Sequence, residues 1–169
     1  IVPSDYMVVR LIKEDRLQQL DFAKLPNVGK YLDPRLSALQ FDADQAVSDQ
    51  VAGYAVPYMY CTVGLMYNQA ELGKINSTDP AEVWGQLFDT SLKNRVGMYS
   101  SMRERIGVAL NKLGYSLNTL DAGQLAEAKQ LLIDQSKNVM PLYGIDELKD
   151  KFVSGELLAG VVWSGDHVV

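Results

Sequence analysis

Two segments of this chain carry residue types that could grip a ligand: Met98-Tyr99-Ser100-Ser101-Met102-Arg103-Glu104 and Val161-Val162-Trp163-Ser164-Gly165-Asp166. Each reads as a β-strand ending in polar and aromatic residues. In an open α/β sheet, ligands settle in the crevice beyond the carboxyl ends of the strands. The first segment offers hydroxyls and the Glu104 carboxylate at a helix start. The second offers the Trp163 indole and the Asp166 carboxylate. An aromatic face beside acceptor-only carboxylates suits a small organic cation.

Each candidate also has a plainer reading. Trp163 closes an aliphatic run and could fill a core or wall a cleft; the Ser164-Gly165-Asp166 that follows marks an open loop and favours the cleft. Glu104 stands three residues after Ser101, where a glutamate closes a capping box; that role and a ligand role can coexist through its two oxygens. Tyr6, just past Pro3-Ser4-Asp5, reads either as a cleft residue or as an ordinary half-buried tyrosine. Asp5 reads as a first-turn helix charge.

The elements that must position these residues can be read along the chain. Ser4 is a candidate N-cap for a short helix carrying Val8, Val9, Leu11 and Ile12. Residues 24–50 read as loop with short helical turns. The stretch 54–68, rich in aromatic and β-branched residues, reads as a long strand interrupted by Pro57 and Gly64. Asp79-Pro80-Ala81-Glu82 opens a helix with a cap, Pro at N1 and Glu at N3. A strand over 95–100 leads into a helix opened by Ser101 and ended by Gly114. Asp121 opens a third helix with Leu125, Ala128, Leu131 and Leu132 on one face. A strand over 139–143, a short helix over 146–153 and a strand over 157–163 follow. From residue 61 on, strands and helices alternate, which predicts an α/β lobe with helices packed on a central sheet. The first 50 residues hold fewer elements and read as part of a second, incomplete lobe.

Composition narrows the function. The 169 residues carry 16 Lys and Arg against 21 Asp and Glu, a net charge of −5. No basic run exists, which argues against nucleic acid. The single Cys61 cannot form an internal disulfide. A catalytic pair of Cys61 with the single His167 would need the two side by side, and a strand cysteine is by default a small buried hydrophobe. One histidine and one cysteine cannot build a zinc site without several carboxylates. No phosphate loop, dinucleotide fingerprint or nucleophile elbow is present. The sequence therefore predicts no metal, no cofactor and no enzyme. Because it opens on Ile1-Val2-Pro3 and closes on His167-Val168-Val169, it reads as an internal fragment.

Taken together, several stretches resemble the spermidine/putrescine-binding proteins of ABC transporters, of the two-lobed type 2 periplasmic binding protein fold. They are Val2-Pro3-Ser4-Asp5-Tyr6, the 27–34 region with Leu-Asp-Pro, and 54–68 with Val-Pro-Tyr. Arg103-Glu104 running on to Leu113-Gly114-Tyr115-Ser116, and Ser154-Gly155-Glu156 through Asp166, complete the set. The resemblance implies an α/β fold of two lobes joined by crossing strands, with the first lobe incomplete. Residues 1–60 would be part of the N-terminal lobe with the first crossing strand, 61–162 the second lobe, and 163–169 the return crossing. It implies a polyamine or related cationic solute as ligand and a membrane permease as partner. Location would be periplasmic, or lipid-anchored on the outer face of the cytoplasmic membrane. Ser4 and Tyr6 would line the cleft from one side; Ser101, Glu104, Trp163 and Asp166 fall at the other. Glu104 matches an ammonium-holding carboxylate, and Trp163 an aromatic packed on the methylene chain. Two positions depart from the pattern: Ser101 stands where an Asp is common, and Tyr60 where an aromatic is usually Trp. A ligand sensor or an enzyme on the same scaffold would share many of these features. A fragment of this kind is expected to bind polyamine poorly alone and to expose apolar surface that favours self-association.

Overall fold

A computed structural model describes residues 1–37 and 51–166. The chain divides into two compact units, Ile1–Tyr60 and Cys61–Val169.

Among the described residues of the first unit the regular elements are helices. Helix α1 spans Asp5–Lys13, α2 Pro26–Tyr31 and α3 Pro34–Ser37, with a 3-10 turn at Phe22–Lys24. Ser4 is the N-cap of α1, but through its backbone carbonyl, which accepts from Met7 N at 3.0 Å and Val8 N at 3.2 Å; its hydroxyl makes no cap bond. Val8, Val9 and Val51 form a small core against Ile12, Leu17 and Ala55.

The second unit is an α/β layer. In chain order it holds β1 (Val63–Tyr67), α4 (Gln69–Leu72), α5 (Pro80–Gly85), β2 (Val96–Tyr99) and α6 (Met102–Leu113). Then come α7 (Ala122–Asn138), β3 (Leu142–Gly144), α8 (Glu147–Val153) and β4 (Ala159–Trp163). Among the described residues the sheet has four strands in the order β1-β4-β2-β3. β2 runs parallel to β3 and β4, whereas β1 runs antiparallel to β4, with Val63 opposite Trp163.

Local chemistry accounts for these elements. The Asp79 side chain accepts from Ala81 N, with Pro80 at N1, and the Asp121 side chain accepts from Gln124 N at 2.9 Å. Gly114, at φ +75°, ends α6 in the left-handed conformation a glycine tolerates best. The Gly114 N–H bonds Asn111 O, and Tyr115 N–H bonds Leu110 O. The core beneath the sheet gathers Leu87, Val96, Met98, Leu148, Leu157 and Val161, all nearly or wholly buried. Each large aliphatic there gains about 1.5–3 kcal/mol over exposure. On the helical side Ala109, Leu110 and Ala128 form a separate cluster between α6 and α7; Leu125, expected on the same face, is 38% exposed.

The long strand expected over 54–68 is shorter than its composition suggests. Only Val63–Tyr67 pairs; Tyr58, Met59 and Tyr60 are 77%, 76% and 72% exposed. Aromatic residues favour a strand only where a neighbouring strand and packing surface receive them, and Pro57 removes a donor. Cys61 precedes the strand and is exposed, so it is not the buried hydrophobe the sequence suggested. His167 lies outside the described residues.

Candidate functional site

Parallel pairing brings the carboxyl ends of β2 and β4 to one edge of the sheet, placing Tyr99 and Trp163 side by side. Their ring centroids are 4.6 Å apart and the planes are tilted by 43°. Because β1 runs the other way, its start lies at the same edge: Ser164 N donates to Thr62 O at 2.8 Å, and Thr62 N to Ser164 Oγ at 3.2 Å. The edge therefore collects residues 61–62, 99–104 and 163–166.

Three hydrogen bonds tie Tyr99, Trp163 and Asp166 together. The Tyr99 hydroxyl donates to Asp166 Oδ2 at 2.8 Å. The Trp163 backbone N–H is shared between the Tyr99 hydroxyl oxygen at 2.6 Å and Asp166 Oδ2 at 3.1 Å. The other oxygen, Asp166 Oδ1, meets Lys149 Nζ of α8 at 2.9 Å. The Asp166 side chain is only 9% exposed. Burial works to raise its pKa, but Lys149, Tyr99 and the Trp163 N–H more than offset this and hold it below the ordinary carboxyl value. Lys149 is raised chiefly by its bond to Asp166. Tyr99 is raised far above an ordinary phenol, first by burial and then by its bond to Asp166, so it stays a donor.

At the start of α6 the expected capping box takes another form. The Ser101 hydroxyl makes no bond to the helix backbone and instead donates to the Glu104 carboxylate. The Ser101 carbonyl accepts from Arg105 N at 3.2 Å and Arg105 Nε at 3.3 Å. The Cys61 thiol, although exposed, is raised first by partial desolvation and then by the Asp166 and Glu104 charges.

Ser101, Glu104, Trp163 and Asp166 thus all belong to the same edge of the second unit. Ser4 and Tyr6 belong to the first unit, at the start of α1, with Tyr6 47% exposed. Trp163 packs against the core cluster, as its plainer reading expected, and is half-buried. Sequence reasoning missed Lys149 and gave Tyr99 no role of its own. Tyr99 carried a signal, being a polar aromatic at a strand end; Lys149, one charge on a short amphipathic helix, carried none.

Over residues 1–169 the chain matches the family model of bacterial extracellular solute-binding proteins. It belongs to that family. Among curated relatives, the spermidine/putrescine-binding periplasmic protein of Salmonella typhimurium is 30% identical, covering 100% of this chain and 45% of the relative. The chain therefore spans about half the length of the relatives it matches. Among solved structures, a Listeria monocytogenes protein provisionally designated a spermidine/putrescine ABC transporter superposes with a TM-score of 0.78 at 36% identity. It covers 98% of this chain and 47% of that one. The TpPotD lipoprotein of Treponema pallidum gives 0.79 at 26% identity, over 98% of this chain and 48% of that one. These neighbours agree with the expected α/β class of type 2 periplasmic binding proteins. The curated relatives are named as binding proteins.

Proposed function

We propose that this chain belongs to an extracytoplasmic solute-binding protein of an ABC importer. It binds spermidine, putrescine or a related small cation and delivers it to a membrane permease, from the periplasm or from a lipid anchor on the membrane's outer face. The observation that carries this reading is the half-buried Trp163 indole sharing one sheet edge with the Ser101–Glu104 pair. Charge-assisted hydrogen bonds from an ammonium to Glu104 contribute about 1.5–3 kcal/mol each. An indole face adds about 0.5–2 kcal/mol against a cation and packs on methylenes. Ser4 and Tyr6 serve as the contacts contributed by residues 1–60, the N-terminal lobe; residues 61–162 form the second lobe and 163–169 the return crossing. Closure of the lobes on solute is selection of a closed state, and no bond chemistry is needed.

Calorimetric titration of the full-length protein with putrescine, spermidine and neutral sugars tests this. Heat from either amine and none from sugars is expected. Heat from a sugar with none from the amines sinks the reading.

A further inference from the structure

Asp166 has the residue type of a ligand carboxylate but not the surroundings of one. Its Oδ1 already faces the Lys149 ammonium at 2.9 Å, and its Oδ2 accepts from the Tyr99 hydroxyl at 2.8 Å and the Trp163 N–H at 3.1 Å. A carboxylate has about four acceptor positions, and three are filled in a side chain that is 9% exposed. A second ammonium would have to enter against the charge of Lys149, which costs binding energy. The second neighbour of Lys149, Asp146 Oδ1, is farther away at 3.5 Å and its side chain is 86% exposed, so water screens it.

What these bonds do hold is the backbone of Trp163. Its N–H is clamped between the Tyr99 hydroxyl and Asp166, and its ring lies 4.6 Å from the Tyr99 ring. Tyr99 itself is 1% exposed on β2. Lys149 comes from α8, a separate element. The indole is thus fixed from three sides: by β2 through Tyr99, by α8 through Lys149, and by the turn after β4 through Asp166.

We infer that Tyr99, Asp166 and Lys149 form an internal brace that sets the position of the Trp163 indole, and that Asp166 acts on the solute through Trp163 rather than by touching it. Lys149 and Tyr99 are then positioning residues. The lysine serves as the resident cation that satisfies Asp166 and keeps it from competing for solute. This rests on the proposed function only in assigning Trp163 to the solute.

The test uses full-length protein labelled with 5-fluorotryptophan, with the Trp163 resonance assigned through Trp163→Phe. In solute-free protein, Lys149→Met and Tyr99→Phe each shift and broaden that resonance, and Lys149→Arg restores it. Spermidine affinity falls about 3–10-fold in Lys149→Met and Tyr99→Phe and stays within about twofold in Lys149→Arg. Far-UV circular dichroism identifies any variant that has failed to fold, and Lys149→Arg then carries the comparison. An unmoved Trp163 resonance in both Lys149→Met and Tyr99→Phe overturns the brace. So does tighter spermidine binding by Lys149→Met, which would mark Asp166 as a ligand carboxylate that the lysine had been masking. Failure of the parent protein to bind spermidine defeats the proposed function instead, while the solute-free resonance still decides the brace.

Discussion

Trp163 has two jobs, and they pull on different parts of the residue. Its backbone N–H is spent on Tyr99 and Asp166, while its ring packs on Tyr99 and stays half-buried. Trp163→Ala is expected to weaken spermidine binding by about tenfold or more in calorimetry, because both stacking area and cation attraction go. Glu104→Gln separates charge from local structure. A Gln carbonyl can still accept from the Ser101 hydroxyl, so the melting temperature should hold while cation affinity falls. Acid should release the brace with a definite sign. The Asp166 pKa is depressed in the folded chain, so its stabilisation is whole above the unfolded carboxyl value of about 3.9 and is lost as pH falls through the lower folded value. The Trp163 fluorine resonance should therefore stay constant from about pH 5 to neutrality and move only below about pH 4. Asp166→Asn should move it already at neutral pH.

At the scale of elements, β2 and β4 pair where two glycines, Gly97 and Gly160, face each other. A Cβ on Gly160 would sit 2.7 Å from the Gly97 carbonyl oxygen and 2.6 Å from Phe152 Cζ. The phenyl ring can shift, but the carbonyl belongs to the paired strand. Gly160→Ala should destabilise the fold by about 1–3 kcal/mol, read as a lower melting temperature. Gly64→Ala, where an added Cβ meets nothing within 4 Å, should change it little. The same elements show what a sequence can disclose. The helices announced themselves through local chemistry: Asp79 with Pro80, Asp121 and Gly114 all act within a few residues of where they stand. The strand over 54–62 did not form because strand formation depends on a neighbour, and among the described residues Tyr58 to Tyr60 have none beside them. Ser101 illustrates the limit of a motif: the spacing of a capping box was present, yet the hydroxyl bonded the glutamate side chain rather than the backbone. Trp163, Glu104 and Ser101 were legible as site candidates because strand ends concentrate ligand chemistry. Lys149 was not, since its partner lies 17 residues on, across a strand whose pairing only the fold decides.

At the scale of the molecule, a net charge of −5 gives these 169 residues a field that on balance draws cations. Exposed charges feel this field through solvent, so salt at about 0.1 M largely screens it beyond about 10 Å. Spermidine affinity should therefore fall as NaCl rises from about 50 to about 500 mM, and more steeply than putrescine affinity because the triamine carries more charge. Equal salt slopes for the two amines would show that the wider field plays no part and that contacts at the site alone set affinity.

Thr62 and Ser164 bond each other twice, once through each backbone N–H. The start of β1 and the end of β4 are therefore laced together as a two-ply ribbon at a single corner of the sheet. A ribbon resists being pulled apart but twists readily about its own length. Torque applied at this corner turns both plies together, and Trp163, the last residue of one ply, turns with them. Any rotation of that corner is in this way also a rotation of the Trp163 indole.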